Sequence, residues 1–325
     1  MLDLVHCHFS YTDISYKITI KVNSLIAPPA LKKGDKVAIV ALASKLNVDD
    51  IQPAINLMQE NWGVEVIVGE SVGATYFNFS GTDDIRLKDF QQQLDNQEIK
   101  AIFSARGGYG SSRIIDSVDF TEFKKNPKWI IGFSDITAVH CQLQSMGFQS
   151  LHAPMPKTFM RNYYSVQTLE TFLFGKSMDY KIPSKDINKQ GRGEGQIVGG
   201  NLCMLAHLIG SVSDLNTDGK ILFIEDVSEY LYNIDRMMIQ LKRAGKLKNL
   251  AGLIVGDFSD VKENDEPFGK TVYEIIAEHT AEYNYPICYD FPVGHESVNW
   301  AIPCGRMATL SIDSQEVKLE LGEIL

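Results

Sequence analysis

Apolar residues in the first half of the chain gather into short blocks that alternate with amphipathic stretches. "KVAIVALA" (36–43), "VEVIV" (64–68), "KAIFSA" (100–105) and "KWIIGF" (128–133) are mostly apolar runs of strand length, the pattern of strands covered on both faces. Between the first two, Ile51, Ala54, Ile55, Met58 and Trp62 share a helical face that Gly63 closes. Leu87, Phe90 and Leu94 align within "GTDDIRLKDFQQQLDN", and Ile136, Val139, His140 and Leu143 align after the fourth run. Such alternation predicts a mostly parallel sheet with helices on both faces. Ligands of these sheets sit outside the carboxyl ends of the strands, where loops 104–112 and 132–136 fall.

The pattern breaks between 175 and 196. "GKSMDYKIPSKDINKQGRGEGQ" is polar, rich in Gly and Lys and without period, and is expected as a linker. Beyond it, "NLCMLAHLIGS" reads as helix, "KILFIED" as strand, "YNIDRMMIQLKRAG" as helix and "LAGLIVGDF" as strand. A helix near 270–284 follows, then "MATLSID" and "EVKLELG" alternate as a hairpin. Residues 1–26 stand apart, with "YKITIKV" alternating like a strand that has no evident partner. The expected organisation is therefore an extension over 1–26, an N-terminal α/β domain over 27–174, a linker over 175–196 and a C-terminal domain over 197–325.

The length of 325 residues suits two domains, and 44% hydrophobic with 22% charged residues is ordinary globular composition. A net charge of −10 argues against nucleic acid or an anionic membrane surface as partner and leaves a small molecule or peptide. No apolar run approaches the roughly 18 residues of a membrane span, and the N-terminus lacks the cationic and apolar blocks of a secretory signal. The five cysteines are scattered, with no CxxC pair. Free thiols in a cytoplasmic protein that needs no metal or other cofactor are the simplest expectation.

Four segments carry candidate chemistry. In "GFSDI", Ser134 follows a strand and precedes a helix, as at a nucleophile elbow, but Ile136 occupies the place of the elbow's second glycine. On this motif alone, Ser134 or Asp135 as a plain helix cap is the more ordinary reading. A serine nucleophile needs a base, and seven histidines are available. His140 lies on the apolar stripe of the helix after Ser134, and His207 and His279 fall inside amphipathic helices. His152, in "LHAPMP", ends a possible strand and is placed to line the cleft. His295, in "FPVGHESVNWAIPCG", sits in a loop bracketed by prolines and glycines, the setting of functional more than packing residues. Glu225 finishes an apolar strand and is suited to orient an imidazole, whereas Asp226 and Glu229 suit the start of the helix after it. The paired glycines of "ARGGYGSS" allow backbone N–H groups to approach a ligand oxygen, or form a plain turn.

Taken in order, "PPALKKGDKVAIVALAS", "ARGGYGSSRIID", "IIGFSDITAVH", "LHAPM", "GGNLCMLAHLIGS", "FIEDVSEYLYNIDRMMIQL" and "PVGHESVNWAIPCG" resemble the LD-carboxypeptidase family of serine peptidases over about residues 27–325. That family includes muramoyltetrapeptide carboxypeptidases and microcin C immunity proteins. The resemblance implies an N-terminal flavodoxin-like parallel sheet domain, related to class I amidotransferases, and a C-terminal mixed α/β domain, with the active site between them. It implies Ser134 as nucleophile, Glu225 and His295 as its partners, and the backbone N–H groups of Gly108 and Asp135 as oxyanion hole. A peptidoglycan-derived peptide is the implied substrate, cut at an L–D bond to release D-alanine, and a homodimer the implied assembly. An aminoacyl-nucleotide hydrolase of the microcin type, or a silent binding protein, are the alternatives. Arg106, with Arg236 and Arg306 behind it, is a candidate for the substrate carboxylate, and Tyr109 and His152 for further substrate contact. Leu42 and Ala153 depart from the family's common Pro and Gly.

Overall fold

The computed structural model describes residues 25–176 and 178–322, so "YKITIKV" lies outside it. Strands β1 (Lys36–Val40), β2 (Glu65–Val68), β3 (Ile99–Ser104), β4 (Trp129–Gly132) and β5 (Ser150–His152) pair in parallel in the order β2-β1-β3-β4-β5. Helices α1 (Gln52–Leu57), α2 (Asp83–Asp95), α3 (Thr121–Lys125) and α4 (Thr137–Ser145) connect them, and α5 (Tyr163–Leu173) follows β5. Val37, Ala38, Ile39 and Val40 are all 0% exposed, so both faces of β1 are covered as its unbroken apolar run requires.

Helix α2 is fixed at both ends. Thr82 Oγ1 accepts from Ile85 N, and Asp83 and Asp84 occupy the first turn, where acidic groups offset the exposed N–H dipoles. At the other end the buried Lys128 ammonium donates to Gln93 O, Leu94 O and Asn96 O. Burial pulls its pKa down to about 8.

Strands β6 (Tyr180–Pro183), β7 (Gly191–Asn201), β8 (Ile221–Val227), β9 (Gly252–Ser259) and β10 (Ile287–Cys288) precede β11 (Ile302–Cys304), β12 (Met307–Ile312) and β13 (Glu316–Leu321). All but β11 build a mixed sheet in the order β10-β9-β8-β7-β12-β13-β6, packed with α6 (Leu202–Leu208), α7 (Leu231–Arg243) and α8 (Val272–Thr280). Strand β7 joins two pairings, antiparallel to β12 over residues 191–196 and parallel to β8 over 197–201.

Two expectations need correction. The stretch 175–196 is not a bare linker: it supplies β6 and the first part of β7. Its glycines serve backbone approach, since a Cβ on Gly193 would sit 1.7 Å from Ala251 O. The first sheet is also not wholly N-terminal, because β11 returns to it antiparallel to β5, with Ile302 opposite His152. Packing is likewise shared: Phe103, Trp129 and Leu151 join Ile197, Phe223 and Leu310 in one buried cluster. No helix among the described residues is long and apolar enough to cross a membrane.

Candidate active site

Strand β4 ends at Gly132, and Ser134 opens a single 3-10 turn (Ser134–Ile136) that leads into α4. Ser134 has φ 64°, a left-handed conformation that a side chain adopts at a penalty of about 1–3 kcal/mol. The flanking residue of this turn is Phe133, which makes no side-chain cap, and Ser134 Oγ has no hydrogen-bond partner among the described residues. The helix-cap reading of Ser134 therefore fails. Ile136, in the place of the elbow's second glycine, packs onto Gly132, where an added Cβ would stand 2.9 Å from Ile136 Cγ1.

The loop after β3 wraps around this serine with almost no room to spare. A Cβ on Gly107 would lie 3.0 Å from Ser134 Cβ, one on Gly108 (φ 120°) 2.0 Å from Ser44 Oγ, and one on Gly110 (φ 146°) 2.5 Å from Arg86 Nη1. These glycines are steric requirements and not a plain turn. Asp135 holds the loop: its carboxylate accepts from Gly110 N (3.3 Å) and Ser111 N (2.8 Å), and its carbonyl from Ser111 Oγ (2.6 Å). Burial pushes the Asp135 pKa up, against those hydrogen bonds. From below, the fully buried Arg86 donates to Leu42 O (2.5 Å) and Gly110 O (2.9 Å) and pairs with Asp83. Gly108 N–H has no acceptor among the described residues.

The second half of the site hangs on β8 and β9. Glu225 is 0% exposed, and its Oε2 lies 2.6 Å from His295 Nδ1. The imidazole sits edge-on to Phe133, the residue before Ser134, with ring centroids 4.9 Å apart. A second link joins the two sheets: Thr137 Oγ1 of α4 accepts from Asn201 N (3.0 Å), and Asn201 lies opposite Glu225 in the β7–β8 register. Asp257, within β9, accepts from His295 N (3.0 Å) and Glu296 N (3.2 Å). Burial disfavours a charged His295, but the adjacent Glu225 carboxylate, with Asp257 and Asp226, outweighs it and raises the imidazole pKa. Burial also lifts Asp257 to about 6 and Asp226 to about 7, both aided by Glu225.

The other candidates are placed differently. Arg106 is half-buried and braces the loop, donating from Nη1 to Lys45 O (3.0 Å) and from Nε to Gly107 O (3.3 Å). Tyr109 stands exposed at the rim, its ring against Phe79 and its N–H on Ser44 Oγ. His152 does not line the cleft: it is 0% exposed between Phe133 and Phe223 with both ring nitrogens unpartnered among the described residues, and burial drives its pKa well down. The β5–β11 pairing covers it, a contact invisible in "LHAPMP". Arg236 is exposed on α7 over Tyr232, and Arg306 is buried beside Gln149. Asp226 belongs to the start of α6, not α7, accepting from Asn201 Nδ2 and Cys203 N. Leu42 and Ala153 are both buried framework.

Ser44, Arg86, Asp257 and Arg161, which donates to His295 O (3.3 Å), escaped the sequence reading. Only Asp257 left a signal: like Glu225, it is an acid finishing an apolar run, "LAGLIVGDF".

Comparison with known proteins matches residues 37–153 to the LD-carboxypeptidase N-terminal domain and residues 194–310 to the LD-carboxypeptidase C-terminal domain. The chain is 32% identical over 306 residues to a probable murein peptide carboxypeptidase of Bacillus subtilis, covering 91% of this chain and 94% of that one. It is 29% identical to the murein tetrapeptide carboxypeptidase of Pseudomonas aeruginosa, covering 85% and 92%. Among solved structures, muramoyltetrapeptide carboxypeptidase from Oxalobacter formigenes superposes with TM-score 0.79 at 27% identity, covering 89% of this chain and 99% of that one. MccF in complex with glutamyl sulfamoyl guanosine gives TM-score 0.81 at 21% identity, covering 93% and 99%, a likeness of fold.

Proposed function

Because this chain belongs to the LD-carboxypeptidase family, we propose that it trims a murein-derived tetrapeptide with Ser134 as nucleophile, His295 as base and Glu225 as the partner of that base. Its class is that of a carboxypeptidase. Ser134 Oγ attacks the carbonyl before the terminal D-alanine while His295 takes its proton. Glu225 on Nδ1 fixes the tautomer that leaves Nε2 free to accept, and steadies the imidazolium that forms. The N–H groups of Gly108 and Asp135 donate to the oxyanion. As the C–N bond breaks, His295 returns the proton to the leaving amine; the same ring then activates a water that releases the acyl group from Ser134.

The observation that carries this reading is the strained Ser134 turn seated beside a Glu225–His295 pair of 2.6 Å that packs on Phe133. The aminoacyl-nucleotide alternative has weaker support, since MccF is related at 21% identity against 27–32% for two carboxypeptidases. A silent binding protein has no use for all three residues in this geometry. The reading includes a cytoplasmic homodimer, and the free Cys141, Cys203, Cys288 and Cys304 suit that reducing compartment. Mass spectrometry of a muramyl tetrapeptide incubated with wild type and Ser134→Ala is the test. Loss of one alanine with wild type alone is the expected result, and equal release by both removes Ser134 as nucleophile.

A further inference from the structure

The loop that presents His295 is built around one carboxylate. Asp257 projects from β9, next to the strand that carries Glu225, and its two oxygens accept from the consecutive N–H groups of His295 (3.0 Å) and Glu296 (3.2 Å). Gly294 adopts φ 140° in front of it, and a Cβ there would lie 2.4 Å from Asp257 Oδ2. The Gly294 N–H is tied in turn to Asn299 Oδ1 (3.2 Å), so the backbone from 294 to 296 is anchored at three successive N–H groups. Glu225 grips only the ring of His295, and Arg161 donates to its carbonyl (3.3 Å); its N–H is held by Asp257.

We propose that Asp257 is a positioning residue for His295: two carboxylates from adjacent strands hold one histidine, Glu225 through the imidazole and Asp257 through the backbone. The inference rests on the assignment of His295 as base. The charged groups facing Asp257 are Glu225 from β8 and His295 from the loop, with Glu296 contributing its N–H. Asp257 is therefore also part of the field that favours a protonated His295. Anchoring and charge are separable by substitution. Asp257→Asn keeps the shape, turns one acceptor into a donor against an N–H, and removes the charge; Gly294→Ala displaces the same hydrogen bonds and keeps the charge.

The experiment is kcat and KM for a muramyl tetrapeptide from pH 5 to pH 9 with wild type, Asp257→Asn, Gly294→Ala and His295→Ala, each checked for its folded state by circular dichroism. For Asp257→Asn, kcat should fall about ten- to a hundredfold, the range of a small misplacement of a reacting group, with KM within about twofold, and the acid limb of kcat/KM should move to lower pH. Gly294→Ala should lose kcat with the limb unmoved. A merely structural aspartate would alter thermal stability and leave the limb alone. Wild-type kcat and limb in Asp257→Asn, with His295→Ala inactive, overturn the inference while sparing the base assignment. Activity in His295→Ala overturns the assignment itself. If Asp257→Asn does not fold, Gly294→Ala decides: lost kcat supports the anchor, and wild-type kcat overturns it.

Discussion

The two ends of the site are held by opposite means. Around Ser134 the control is mainly steric, with a strained backbone and glycines at 107, 108 and 110 whose neighbours occupy the space where side chains would start, in a loop pinned by the Asp135 carboxylate on Gly110 N and Ser111 N. Around His295 the control is electrostatic, with Glu225 fully buried and Asp257 half-buried, each bonded to the histidine from its own strand. The proposed nucleophile is neutral until it reacts, so an exact place is the main thing its surroundings must supply. A base that passes through a charged state needs fixed counter-charge in a low dielectric. Atoms added at the first end, and charge removed at the second, are therefore the informative changes.

Removing charge should have the larger effect. Glu225→Gln keeps the shape and allows the wrong imidazole tautomer, and kcat is expected to fall about 10⁴-fold, measured as alanine release. Adding an atom comes next: Gly108→Ala should lower kcat about 10²–10³-fold by displacing the proposed oxyanion donor. Because its Cβ would collide with Ser44 Oγ at 2.0 Å, the double variant with Ser44→Gly should recover part of the loss. No recovery would mean that the φ of 120° at Gly108, and not the contact, sets the requirement. Smaller still, Arg106→Ala should reduce activity about fivefold, the scale of a lost hydrogen bond, equally on a carboxylate-terminated peptide and its amide. Equal loss is expected because Arg106 is bonded to Lys45 O and Gly107 O. A loss confined to the carboxylate would move Arg106 from loop brace to substrate contact.

The subtlest difference is in pH dependence. As the proposed base, His295 acts only when neutral, and its pKa lies above the ordinary imidazole value because Glu225, with Asp257 and Asp226, overcomes the effect of burial. Activity should therefore fall as pH drops through a limb placed above the ordinary histidine value, and Glu225→Gln should carry that limb downward. The limb is not expected to move in Gly108→Ala, which changes no charge.

What could be read from the residues follows how locally each feature is encoded. The apolar runs at 36–43, 100–105 and 128–133 gave strands β1, β3 and β4 because burial on both faces leaves a continuous signature. Glu225 and His295 stood out as polar groups where packing offers them no reason. The glycines of β7 were misread, since a glycine that admits a neighbouring carbonyl has the same letter as one that merely bends a loop. Arg86, Ser44 and the burial of His152 were beyond reach: each depends on a partner more than 20 residues away, Gly110, Tyr109 and Ile302 respectively.

Strand β11 has a consequence for synthesis. The sheet that carries Ser134 has an open edge at β5 until Ile302–Cys304 arrives to pair with Ser150–His152. At about 5–20 residues per second, the nascent chain waits on the order of ten seconds between making the two strands. During that time the β5 edge is bare and His152, which Phe223 and β11 later enclose, lacks part of its cover. An early-made half with an unpaired edge is a template for the wrong strand, so the last tenth of the chain governs whether the first half finishes correctly.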